Sequence, residues 1–185
     1  MRAPRGRLAY VARLVGSLTA LVASVSWAAT HAGDTSLRAS GRMGAASCTP
    51  PRLAGTPVDV RLIGMHQGGM MAGRSMQLLV DRASAPAGRI SFIAQNIGVD
   101  VHELVVLPLS VGHPVGALAI GPNDRVSESG NLGEASSSCG AGAGDGIEPG
   151  AAGWVTLDLK PGRYELVCNI HGHYRAGMYA ELDVR

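Results

Sequence analysis

Cysteine, histidine and methionine crowd into residues 168–178 of this 185-residue chain, which read C-N-I-H-G-H-Y-R-A-G-M. A thiolate and a thioether are soft donors, and together with imidazole they suit copper cycling between Cu(I) and Cu(II). Zinc accepts Cys and His but gains little from a thioether. The segment offers Cys168, Met178 and one of two histidines, His171 or His173. A second histidine must come from elsewhere. His102 is the candidate, because it opens the run H-E-L-V-V-L-P-L just past the turn around Gly98. A residue at a strand start beside a glycine turn projects from the end of a sheet.

The elements that position these donors read as short strands. Apolar alternation or β-branched runs cover 58–63, 76–80, 89–95, 102–109, 154–159, 163–168 and 178–184, with a weaker stretch at 115–120. After residue 30 no sustained helical period occurs. Short strands spaced by turn signals predict an all-β fold, a Greek-key β-sandwich of about seven to eight strands. Residues 121–150 hold few large apolar side chains and much Gly and Ser, so they read as a long excursion outside the core. The run C-G-A-G-A-G-D-G at 139–146 lacks the preceding strand and following helix that a phosphate-cradling loop requires.

A His₂Cys set with a weak axial Met is the ligand set of blue-copper centres. Two motifs sharpen this. The first is C-x4-H-x4-M at Cys168, His173 and Met178. The second is F-x-A-x-N-x-G-x-x-x-H-E-x-V-V, here Phe92, Ala94, Asn96, Gly98, His102, Glu103, Val105 and Val106. In this pairing and order the sequence over roughly residues 56–185 resembles the cupredoxins of the plastocyanin superfamily, specifically small exported blue-copper proteins of the rusticyanin and sulfocyanin type. The resemblance implies one copper per chain held by His102, Cys168, His173 and Met178. It selects His173 over His171, since the family keeps four residues between the loop histidine and the axial methionine. His171 is then an exposed neighbour or a tuner of the potential, and Asn96 a donor that supports the ligands from behind. The resemblance also implies an apolar patch around His173, lined by Tyr174, Ala176 and Gly177, and a redox-protein partner that docks transiently.

A second cluster, Met65, His66, Met70, Met71 and Met76, puts four thioethers and an imidazole in twelve residues. It reads as a secondary Cu(I) site, as an adaptable docking surface, or as a loop ending in the core residue Met76. From it comes an alternative function, copper storage or delivery. Cys48 and Cys139 form an even pair, either a disulfide or flexible free thiols.

Composition excludes other classes. The net charge of +2 comes from the N-terminus, where residues 1–29 hold four arginines and no acid; the remainder carries 12 basic and 14 acidic side chains. With no basic patch, a nucleic-acid partner is not expected. Four arginines followed by an uncharged stretch at 14–29 with small residues at its end read as a signal peptide, or as a membrane anchor if uncleaved. Residues 30–55 read as a flexible linker or arm. The expectation is an exported protein, periplasmic or extracellular, where disulfides persist. No G-x-S-x-G elbow and no carboxylate pair among Asp100, Glu103 and Glu165 supports an enzyme. A second loop cysteine and an H-C-H segment, which oxidase copper sites require, are absent.

Overall fold

The computed structural model describes residues 48–64 and 76–185. Residues 1–29, expected to be a signal peptide, most of the expected linker 30–55, and Met65, His66, Met70 and Met71 lie outside the described residues.

Nine strands are present among the described residues: β1 (Thr56–Gly64), β2 (Met76–Val80), β3 (Ser84–Ala85), β4 (Gly88–Asn96), β5 (Leu104–Leu109), β6 (Gly133–Ala135), β7 (Ala152–Leu159), β8 (Gly162–Val167) and β9 (Tyr179–Val184). They form a four-stranded sheet ordered β2-β1-β4-β7 and a five-stranded sheet ordered β3-β9-β8-β5-β6. Both are mixed, with β1 parallel to β4 and β3 parallel to β9. The chain passes from one sheet to the other five times, between β2 and β3, β3 and β4, β4 and β5, β6 and β7, and β7 and β8. The result is an all-β sandwich, as the pattern of short strands predicts.

Period-2 burial builds the core. Val58, Val60 and Leu62 of β1 and Ile90, Phe92 and Ala94 of β4 face Leu104 and Val106 of β5, Leu166 of β8 and Leu182 and Val184 of β9. β5 is apolar on both faces. Val105 and Leu107 point outward, where residues 110–126 cross the sheet and close a second cluster with Val126, Val167 and Tyr174. The uninterrupted L-V-V-L of β5 is therefore buried twice, as continuous apolar strands usually are. Pro108, which has no N–H to donate, lies where β5 has already left β6, whose pairing ends at Val106.

Two segments differ from the sequence reading. Residues 115–120 form no strand; only Ile120 makes a bridge, to Val126. Gly116 there has φ +79°, which an extended strand cannot contain. Within 121–150, β6 joins the second sheet, and Ala135 and Ile147 are fully buried in the main core. These contributions are too short to show a period. The excursion is thus partly core, and its glycine-rich part lies against β7: Cys139 N–H donates to Ala152 O (2.8 Å), Gly142 N–H to Trp154 O (2.9 Å) and Trp154 N–H to Gly140 O (3.1 Å).

Residues 48–55 are anchored. Cys48 and Cys139 are joined by a disulfide with Cα atoms 5.6 Å apart. The Ser91 hydroxyl donates to Ala54 O (2.6 Å).

Candidate metal centre

Cys168 directly follows β8, Met178 directly precedes β9, and His102 stands two residues before β5. All three therefore sit at one end of the second sheet. The tight turn 168–178 folds back on itself: Met178 N–H donates to His173 O (3.1 Å), Gly177 N–H to Tyr174 O (2.9 Å) and Ala176 N–H to Gly172 O (3.0 Å). Cys168 N–H donates to Met178 O (3.0 Å), so the first and last donor residues close the loop.

His102, Cys168 and His173 form one cluster. Cys168 Sγ lies 3.3 Å from His173 Nδ1 and 3.8 Å from His102 Nδ1, and the two Nδ1 atoms are 3.2 Å apart. An ion bonded to two nitrogens and a sulfur in one plane, at about 2.0–2.3 Å, requires edges of roughly 3.5–3.7 Å. The observed triangle matches within a few tenths of an ångström. Cys168, His102 and Met178 are fully buried, and His173 is half-buried. The donor set and its geometry fit a copper ion.

Electrostatics prepare these atoms for a cation. Burial pushes the Cys168 thiol up to about 12, against N–H groups of Glu103 (3.4 Å) and Ile170 that point at the sulfur and partly offset it. Burial, then the neighbouring His173, lowers His102 to about 4. Burial also lowers His173. Both shifts favour the neutral imidazole, the form that binds a metal, and the thiol must surrender its proton to the incoming cation. Glu103 is pushed up to about 6 by burial and then by Glu128 and Glu134.

Backbone on either side of His102 is fixed. Its N–H donates to Ile147 O (3.1 Å), and its carbonyl accepts from Ile147 N–H (2.6 Å). Asn96, wholly buried, donates from Nδ2 to Asp100 O and Ile147 O (both 2.7 Å) and accepts from Gly98 N–H (2.9 Å). Asn96 therefore acts on the chain that carries His102, while backbone amides serve the sulfur. Gly64 closes the other side, where a Cβ would lie 2.5 Å from His102 Nε2.

Sequence reasoning did not single out Gly64, Ile147 or Asn169. Asn169, 1% exposed, donates to Val126 O (3.0 Å) and Glu128 Oε1 (2.6 Å) and accepts from Val126 N–H (2.8 Å), seating the ligand loop on residues 126–128. An asparagine beside a candidate ligand was the only available signal. His171 stays outside the cluster: it is exposed, and its Nδ1 is 2.9 Å from Asn123 O. Tyr174 corrects the expected surface patch. It is 2% exposed and points inward, whereas Ala176 is exposed and Gly177 half-buried. Its phenol is raised well above the ordinary value by burial and then by Glu165.

No family model and no curated protein matches the chain. Solved structures do resemble it, and they are blue-copper cupredoxins. Reduced auracyanin from Roseiflexus castenholzii is 20% identical over 71% of this chain and 98% of its own, with a TM-score of 0.45. Auracyanin A, a "blue" copper protein from Chloroflexus aurantiacus, is 17% identical over 70% of this chain and 99% of its own (TM-score 0.42). Rusticyanin from Thiobacillus ferrooxidans is 19% identical over 71% of this chain and 79% of its own (TM-score 0.41).

Proposed function

We propose that this protein is an exported type 1 copper protein that passes single electrons between redox partners. The convergence of His102 Nδ1, Cys168 Sγ and His173 Nδ1 on one buried point carries the reading. His102, Cys168, His173 and Met178 would hold the ion. A copper ion bound there supplies the one-electron change between Cu(I) and Cu(II).

The chain's own residues do the rest. Burial keeps Cys168, His102 and Met178 from water, which favours electron transfer over turnover of a bound substrate. The N–H groups at the sulfur stabilise the thiolate and set its donor strength. Asn96 and Ile147 hold His102, and the hydrogen-bonded turn holds His173, so neither donor need move when the ion changes charge. Half-buried His173 is the donor nearest solvent and the exit for the electron towards a transiently docked redox protein. The Cys48–Cys139 disulfide supports an oxidising, extracytoplasmic location.

The test is the visible spectrum of the copper-loaded, oxidised protein, with Cys168→Ser alongside. The expected result is one copper per chain and an intense visible band that the variant lacks. Copper bound without that band would refute the assignment.

A further inference from the structure

We propose that Glu165 is a positioning residue for the ligand loop, acting through Tyr174; the proposal rests on the copper reading above. In β8, Tyr164 and Leu166, with Cys168 just beyond the strand, face the core between the sheets, so the period of two turns Glu165 and Val167 to the outer face. A glutamate on the outer face of a sheet is ordinarily solvated. This one is fully buried, under residues 110–120 and the ring of Tyr174.

Three separate segments meet at one oxygen. Glu165 Oε1 accepts from Gly116 N–H (2.9 Å) and from the Tyr174 hydroxyl (2.8 Å), and the same hydroxyl accepts from Leu118 N–H (2.9 Å). Tyr174 follows His173 directly, and its ring packs on Tyr179, the residue after Met178, with centroids 5.2 Å apart. The loop donors His173 and Met178 are thus each one residue from an aromatic ring held on this outer face. Gly116 lets the covering segment approach, since a Cβ there would strike the Tyr179 ring.

The need for a side-chain oxygen here has a physical reason. Oε1 alone accepts from both donors, in a water-excluded site where a hydrogen bond is stronger than in water and an unmade one costs more. An aliphatic residue would leave the Gly116 amide and the Tyr174 hydroxyl buried with one partner fewer, a penalty as large as the bonds themselves. The isosteric amide keeps an oxygen for both donors.

The experiment compares Tyr174→Phe, Glu165→Leu and Glu165→Gln with wild type, using amide hydrogen exchange on the metal-free protein. Ser91→Ala serves as control. It removes a buried hydroxyl of the other sheet, bonded to Ala54 O (2.6 Å) and Thr156 Oγ1 (2.7 Å), and reports destabilisation without loop contact.

In Tyr174→Phe and Glu165→Leu the amides of Ala176, Gly177 and Met178 are expected to exchange about tenfold faster, the factor that about 1.4 kcal/mol represents. Amides of β4 should keep their rates. Glu165→Gln should retain most of the loop protection, and Ser91→Ala should not move it. With copper added, the first two variants should release the metal about tenfold faster, by the same conversion. Loop exchange in Tyr174→Phe within about twofold of wild type, a difference near 0.4 kcal/mol, would overturn the proposal, as would an equal effect from Ser91→Ala. The exchange result needs no metal. If wild type lacks the copper–thiolate band, the copper reading falls alone and the loop amides still decide the role of Glu165.

Discussion

Replacing Asn96 by alanine tests whether His102 is held by the chain around it. The Asn96 side chain makes three hydrogen bonds, to Asp100 O, Ile147 O and Gly98 N–H, and is wholly buried. Each contributes about 1 kcal/mol net, and more where a buried partner is left unpaired, so the expected loss is about 3–4 kcal/mol. For a domain of this size that lowers the unfolding midpoint by about 10 °C. It removes a large share of the roughly 5–15 kcal/mol that keeps a domain folded. Urea unfolding of the metal-free protein, disulfide intact, measures it. Asn96→Asp sharpens the test. A carboxylate keeps the bond from Gly98 but turns an oxygen against two carbonyl oxygens at 2.7 Å, so aspartate should be no better than alanine. A loss below about 1 kcal/mol, the value of a single ordinary bond, or an aspartate variant more stable than the alanine one, would refute the reasoning.

Three further outcomes follow from the same geometry. Gly64→Ala drives a Cβ to 2.5 Å from His102 Nε2 and 3.0 Å from Met76 Sδ; overpacking of this kind costs about 1–3 kcal/mol, and the displaced ring should weaken the copper–thiolate band. An unchanged spectrum would show that His102 tolerates the shift. Changing Cys48 and Cys139 to serine opens a link spanning 91 residues and should cost about 2–5 kcal/mol in a denaturant titration; a midpoint equal to wild type would refute the tether. Arg163 bonds to Glu181 at 2.6 and 2.9 Å and holds its carboxyl below the ordinary value. The folded state then binds fewer protons than the unfolded chain in acid. This contribution is complete above the unfolded value and fades as pH falls through the lowered one. Glu181→Gln should flatten the acid limb of a stability–pH curve, and an identical limb would exclude the pair as a contributor.

The candidate donors were legible because their chemistry is local. Cys168, His173 and Met178 share one short loop, and His102 stands at a strand start that its β-branched run marks. The long strands were legible for a similar reason, since β1 and β4 show their period over nine residues each. β3 and β6, two and three residues long, show none. Nor does composition reveal that Ile147, alone among glycines and polar residues, would reach the core and pair with His102. Tyr174 shows the same difficulty. A tyrosine in a glycine-containing loop reads as exposed, and only a buried glutamate nine residues earlier, on a strand whose outer face another segment covers, turns it inward. Local pattern fixes which residues carry chemistry; long-range pairing decides which hold them still.

The two supports of the cluster share no residue. His102 depends on Asn96, Ile147 and the space left by Gly64, all around the end of the first sheet. His173 and Met178 depend on the turn itself, on Asn169 beneath it and on the Tyr174–Glu165 bond at the outer face of the second sheet. Cys168 is fixed by β8, whose register with β5 sets Val167 opposite Val105, and the Glu103 amide reaches the sulfur two residues before that pair. His102, Cys168 and the His173–Met178 pair are therefore anchored by different parts of the sandwich, and the ion-sized gap between them is a property of the whole fold. A centre that exchanges electrons gains from this arrangement, because donors held independently of the ion keep their places when its charge changes. The expense is visible in the same residues: the imidazole of His102, the thiol of Cys168 and the side chain of Glu165 are all polar groups withdrawn from water, retained where the fold could have been more stable with apolar side chains.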